Sequence, residues 1–197
     1  DDWLYLQNED HSYDRYPQWN DEMERILGQA LESLAKTNVK DAEAKIAALE
    51  DDHARRRLLL WAELGEAKCA MMLNDLAEVA RLTAKPMEQG GLAELEKRYA
   101  EHFWRADRAV VRVLKKVDSG ADLGLISSIL NLFYKPWIED SARHLQKSGM
   151  ETNADKTQPA GWLDRVEAIM FVDGLRFDCA KELSEMLCAE AYQTEES

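Results

Sequence analysis

The sequence predicts a mainly α-helical fold, in which a multi-helix domain is followed by the first β-strand and helix of an α/β domain. Apolar residues recur with helical spacing from Trp19 to about Gln146. From 148 to 161 the composition changes to Gly, Thr, Asn, Asp, Lys, Gln and Pro, which is typical of a domain boundary. The run 168–172 is then short and continuously apolar and stops at Asp173-Gly174, as a buried strand does.

These observations divide the chain into three parts. We expect a helical domain over residues 1–148, a linker over 149–161 and the incomplete start of an α/β domain over 162–197. A single strand cannot form a sheet, so the last part needs further strands. The sequence therefore predicts that this chain is a truncated piece of a longer protein.

In the first half of the chain, the sequence predicts irregular structure up to Pro17 and successive helices after it. Helical spacing predicts a first helix from Trp19, capped by Asn20 or Asp21, and a second helix over 39–50 after the break at Thr37-Asn38. A further helix is expected over 66–83. The predicted inward residues are Met23, Ile26, Leu27, Ala30 and Leu34 in the first helix, and Ala42, Ile46 and Leu49 in the second.

The second half begins after the turn residues Lys85-Pro86 and Gly90-Gly91. A long helix is predicted over 92–117, with Asp107 half-buried beside its apolar stripe and paired with an arginine such as Arg108 or Arg112. The next helix, over 123–134, is apolar nearly all round and should be central. Pro136 is expected to kink or restart it as a further helix over 137–146.

The triple arginine Arg55–Arg57 has two interpretations. Three adjacent cations could bind phosphate. Asp51 and Asp52, however, stand four residues before Arg55 and Arg56, a spacing that pairs acid with base on one helix face. A solvated, self-neutralised face is the favoured interpretation.

Overall charge and composition exclude several classes of function. The net charge of -13 and the pI near 4.8 argue against this piece binding nucleic acid through a broad surface. No apolar run approaches the roughly 18 residues of a membrane span. The three cysteines form no disulfide pattern, which predicts a reducing cytoplasmic location and three buried thiols.

Asp173 is the best candidate for a functional residue. In open α/β sheets ligands gather at the carboxyl ends of strands, where Asp173 would stand. Its carboxylate suits zinc, manganese or magnesium. Gly174 permits a close turn, and Asp178 falls in the first turn of a helix expected from Phe177 to about Ala191.

The motif 171–178, FVDGLRFD, followed by Ala180 and Leu183, resembles the opening strand and helix of the PglZ family, alkaline-phosphatase-superfamily proteins of BREX phage-defence systems. The segments 99–107 (YAEHFWRAD) and 137–142 (WIEDSA) are similar to the helical region that precedes that domain. The resemblance is sharp over 168–183 and looser over 95–147.

This resemblance implies that the whole protein is a metal-dependent phosphatase or phosphodiesterase. It makes Asp173 a ligand of a divalent metal, most simply zinc, or else manganese or magnesium. Arg176 and Asp178 belong to the same motif without an assigned role, and they could simply pair and fix the turn. Other BREX components and DNA are the implied partners of the whole protein.

The rest of the family's site is not predicted here, so the fragment itself should be inactive. The superfamily needs a Ser or Thr nucleophile from a later segment, whereas Ser184 falls within a helix and Thr194 in a tail. One carboxylate cannot hold a catalytic metal alone. The alternative is a non-catalytic helical interaction module in which Asp173 only caps a turn. A haloacid-dehalogenase-type nucleophile is weaker, because Leu175 stands where that chemistry wants an aspartate.

Overall fold

The computed structural model describes residues 12–87, 91–151 and 174–190. Helices make up most of these residues, which confirms the prediction of a mainly α-helical chain, and no strand occurs among them. The strand predicted over 168–172 and its terminal Asp173 lie outside the described residues.

The described residues form eight α-helices. They are α1 Pro17–Leu34, α2 Val39–His53, α3 Leu60–Glu63, α4 Lys68–Thr83, α5 Leu92–Arg98, α6 Trp104–Leu114, α7 Gly120–Glu151 and α8 Phe177–Ala189. The residues between α7 and α8 lie mostly outside the described range. 3₁₀ turns cover Ser12–Arg15 and Ala54–Leu58, and a π-helical turn, Tyr99–Phe103, joins α5 to α6.

Polar side chains fix the start of two helices. The Asn38 side chain accepts a 3.0 Å hydrogen bond from the backbone N–H of Asp41 and so caps α2. At α7 the Ser119 hydroxyl accepts from the backbone N–H of Asp122, and the Asp122 carboxylate accepts in return from the backbone N–H of Ser119 at 3.1 Å. This reciprocal pair satisfies donors that the first helical turn would leave free.

Helix α1 departs from its predicted start. It begins at Pro17, since proline lacks the N–H that a first helical residue could not use. Asn20 is therefore inside the helix, where it is buried and donates to the Glu66 carbonyl at 2.7 Å, so the prediction of an Asn20 or Asp21 cap is wrong. The buried stripe runs through Leu27, Leu31 and Leu34, and Ile26 is exposed.

Helix α4 is the centre of the core. It packs against α1, α2, α6 and α7. Its face toward them is apolar and fully buried at Met72, Leu73 and Leu76. From α2, Ala42 and Ile46 are buried against this core and Leu49 packs at its edge, as their spacing predicted.

The predicted long helix over 92–117 is divided by the π-helical turn, and α6 ends at Leu114. The wider turn accompanies two successive bulky side chains, Phe103 and Trp104, that are both buried. Phe103 joins a second apolar cluster with Leu95 and Trp137 of α7.

Helix α7 continues through Pro136 to Glu151, so a separate helix after the proline is wrong. Its last residues overlap the start of the predicted 149–161 linker, and 152–161 lie outside the described range. No helix among the described residues is long and apolar enough to cross a membrane.

Candidate functional site

The candidate site lies where the start of α8 meets the π-helical turn and α6. Gly174 has a φ of 67°, in the left-handed region that favours glycine. The chain is extended again at Arg176, and α8 begins at Phe177. Gly174 therefore turns the backbone immediately after Asp173, which is itself outside the described part of the chain.

Arg176 and Asp178 form a two-pronged ion pair across this turn. The Arg176 Nε donates to Asp178 Oδ1 at 2.9 Å and its Nη2 donates to Oδ2 at 3.2 Å. The Asp178 side chain is 3% exposed, whereas that of Arg176 is 58% exposed. Both carboxylate oxygens of Asp178 are thus engaged by arginine, and the pair fixes the entry into α8.

Asp107 lies at a junction of helices beside this pair. It is half-buried, as predicted, and accepts hydrogen bonds from the hydroxyls of Tyr99 and Tyr134, each at 2.6 Å. The predicted arginine partner is wrong: Arg108 pairs with Glu185 at 2.7 Å and Arg112 with Asp75 at 2.8 Å. The correct partners come from the π-helical turn and from α7.

Burial raises the pKa of both tyrosines, and the hydrogen bond to Asp107 raises it further. The tyrosine hydroxyls therefore remain protonated donors. At Tyr99, the Asp178 carboxylate also raises the pKa while Arg176 lowers it, so the α8 motif and the tyrosine cluster share one electrostatic environment.

Aromatic contacts hold α8 against this junction. The rings of Phe177 and Tyr99 lie 5.6 Å apart between centroids at an interplanar angle of 52°. Within α8 itself, the Lys181 ammonium lies 5.3 Å from the centroid of the same Phe177 ring. Arg108 of α6 bonds Glu185 of α8 in addition, so the helix is anchored both at its start and farther along.

A shallow cleft of about 310 Å³ opens beside the junction, between the π-helical turn, α6 and α8. Trp104 and Arg105 line one side, and Lys181 and Ser184 line the other. Ser184 is half-buried within α8, and Thr194 lies outside the described residues, so neither is placed as a nucleophile.

The described residues do not by themselves fit a metal site. Within the described ranges, no group of three or more His, Cys, Asp or Glu side chains could hold a metal ion. Asp178 has both oxygens on Arg176. Asp173 lies outside the described residues.

The triple arginine is neutralised by distant acids, with each arginine paired to a different carboxylate. The predicted partners Asp51 and Asp52 are wrong, and the predicted solvated face is wrong at Arg56, which is buried, although Arg55 is exposed. The observed pairs are Arg55 with Asp14 at 2.8 Å, Arg56 with Glu24 at 2.7 Å and Arg57 with Glu50 at 2.5 Å. A phosphate site here has no support from the described contacts.

The cysteines also differ from the prediction of three buried thiols. Cys69 is partly buried, while Cys179 and Cys188 are exposed on α8. Burial raises the pKa of the Cys69 thiol to about 12, and the nearby Glu24 carboxylate adds to this. The apolar composition of α8 was misleading, because positions 179 and 188 are exposed in the described part of the chain.

Sequence reasoning missed the two tyrosines that bind Asp107. Both were interpreted as apolar residues, Tyr134 in the apolar helix over 123–134 and Tyr99 in the apolar stripe of the helix over 92–117. A tyrosine in an apolar stripe indicates a nearby hydrogen-bond acceptor, because a buried hydroxyl needs one. Asp107, half-buried eight residues after Tyr99, was the available acceptor on the same stretch.

No protein-family model, curated protein or solved structure matches this chain.

Proposed function

We propose that this chain is part of a PglZ-like metal-dependent phosphohydrolase, a phosphatase or phosphodiesterase of a BREX phage-defence system. Asp173 is the proposed ligand of a divalent metal, with zinc first and manganese or magnesium next. The proposal rests on the motif 171–178 at the end of an apolar run. The fragment alone is proposed to be inactive.

One structural observation supports this proposal. The three segments that carry the family resemblance, 99–107, 137–142 and 171–178, converge in their described parts on one place. Tyr99 contacts Phe177 through their rings, and Phe103 contacts Trp137 with centroids 5.6 Å apart. These segments are far apart in sequence but resemble the same family and lie together in the fold. A single functional unit would produce this arrangement.

The helical region then acts as the support for the turn that carries Asp173. Gly174 supplies the backbone turn, and the Arg176–Asp178 pair locks the residues after it. Helix α8 is held on α6 by Arg108 and on the π-helical turn by Phe177. In this proposal the nucleophile and remaining ligands belong to other segments of the parent protein, and DNA and BREX components are its partners.

The test compares the full-length parent protein with its Asp173→Ala variant. Metal content by elemental analysis and hydrolysis of a generic phosphomonoester and phosphodiester are the two readouts. We expect Asp173→Ala to lose bound metal and hydrolysis while circular dichroism stays unchanged. Asp21→Ala, which removes an exposed carboxylate on α1 outside the segments that carry the resemblance, is the matched control and should retain both.

A wild-type parent without metal and without hydrolysis, tested across several divalent ions, would contradict the enzyme proposal. The remaining function would be that of a non-catalytic helical interaction module. One observation favours this second candidate: an open groove lies between α2 and α4.

A further inference from the structure

The groove between α2 and α4 lies away from the candidate site and has a volume of about 470 Å³. Its floor is apolar and mostly small, with Ile46 from α2 and Ala77 and Ala80 from α4. Ala47 and Ala84 extend this surface toward solvent. Small side chains on a groove floor allow another backbone to approach closely.

The groove is shaped by two complete helix faces. On α2 its lining runs from Glu43 to Asp51 with the spacing of one helical face, and on α4 it runs from Asn74 to Arg81 and continues to the C-cap residue Ala84. A third helix fits between two such faces by packing ridges into grooves, at interaxial distances of roughly 8–10 Å. The shape therefore favours a helix over a compact ligand.

The charges on the two rims are of opposite sign. Glu50 and Glu78 also line the groove, but Arg57 and Arg112 neutralise them. Glu43 and Asp51 on the α2 rim and Arg81 on the α4 rim have no ion pair among the described contacts. One rim thus presents two carboxylates, and the other presents a guanidinium.

We propose that this groove binds an amphipathic helix of a partner protein. That helix carries small apolar residues toward the floor, lysine or arginine toward Glu43 and Asp51, and an acidic residue toward Arg81. Opposite rim charges fix its orientation and its choice of partner more than its raw affinity. A net charge of -13 disfavours both a second copy and a nucleic acid as the occupant.

The probe is a synthetic fluorescent helical peptide with an alanine–leucine stripe, lysines along one edge and a glutamate on the other. A second peptide carries glutamates on both edges, so that neither direction of its axis places a cation beside Glu43 and Asp51. Fluorescence anisotropy with the full chain measures both affinities. We expect the first peptide to bind about tenfold more tightly, a difference of about 1.4 kcal/mol.

Substitutions in the groove make the test specific. Glu43→Lys with Asp51→Lys should weaken the first peptide about tenfold, and a peptide with glutamates in place of its lysines should restore binding. Ala47→Trp should block the groove to every peptide. Asp52→Lys reverses an exposed charge on α2 that does not line the groove, and it is the matched control that should change nothing.

Three results with the peptides would overturn the proposal. They are equal affinity for both peptides, no effect of the Glu43→Lys and Asp51→Lys pair in a variant with unchanged circular dichroism, or no binding at all. Self-association of the chain that Ala47→Trp abolishes would make a second copy the occupant and would also overturn it. None of these results bears on metal content or hydrolysis in the parent protein.

Discussion

The hydroxyl of Tyr134 donates a 2.6 Å hydrogen bond to the Asp107 carboxylate, and this bond joins α7 to α6. Tyr99 occupies the other carboxylate oxygen from the π-helical turn. The same turn contacts Phe177 at the start of α8. Asp107 therefore links three helical elements to the turn that follows Asp173.

We predict that Tyr134→Phe lowers the free energy of unfolding by about 1.5–3 kcal/mol, the range for a hydrogen bond to a charged acceptor. Tyr99→Phe should cost a similar amount. Because both bonds share one carboxylate, the double variant should show a non-additive coupling free energy. Urea denaturation measures all three.

Tyr16→Phe is the control for this series, since Tyr16 is 58% exposed and its substitution should stay within about 0.5 kcal/mol of the wild type. If Tyr134→Phe changes the free energy of unfolding as little as this control does, the hydrogen bond from Tyr134 to Asp107 does not stabilise the fold.

The same tyrosines predict a loss of stability at alkaline pH. Burial raises their pKa above the ordinary value of 10.0, so the folded state retains protons that the unfolded chain releases. The stabilisation is complete below pH 10 and is lost as the pH rises above it. In the Tyr99→Phe, Tyr134→Phe variant, the highest-pH part of the tyrosinate absorbance change should disappear. A titration identical to that of the wild type would contradict the assignment.

Helical spacing predicted the secondary structure best where the apolar residues of a helix face a single neighbouring helix. Helix α2 begins at the predicted residue, and its inward residues Ala42 and Ile46 are buried, because one apolar stripe faces one neighbour. The same reasoning failed in α1, where Pro17 starts the helix early and a buried asparagine interrupts the stripe.

Buried polar residues were the main features that the sequence could not predict. Arg56 was predicted to lie on a solvated face and Asp75 was not singled out, yet both are buried, because their partners come from helices distant in sequence. The π-helical turn Tyr99–Phe103, whose last residue is buried, was not predicted from the helical spacing of this stretch. At the candidate site, the pairing of Arg176 with Asp178 was foreseeable because they are two residues apart.

Asp75 gives a stability prediction for the core. Its side chain is 1% exposed and accepts from Arg112 at 2.8 Å and Lys116 at 2.5 Å. Asp75→Ala removes a buried acceptor, but Arg112 keeps Glu78 and both cations are partly exposed, so it should cost about 1.5–3 kcal/mol, the range for hydrogen bonds to a charged group. Asp118→Ala removes the 2.9 Å partner of Lys68 at an exposed position and should cost less than about 1 kcal/mol. Similar losses in the two variants, measured by urea denaturation, would contradict a special role for Asp75.

The three cysteines differ in exposure, and this difference predicts how fast their thiols react. Cys179 and Cys188 are exposed, whereas the Cys69 thiol is partly buried with a pKa raised to about 12. Only the thiolate reacts with an aromatic disulfide reagent, so the native chain should show two fast thiols and one slow one. Cys69→Ala should remove only the slow phase, and denaturant should make all three thiols fast. The Glu24 carboxylate accepts a 2.6 Å hydrogen bond from the Cys69 backbone N–H in the first turn of α4. If Cys69→Ala removes a fast phase instead, this turn is open to solvent and the hydrogen bond does not protect the thiol.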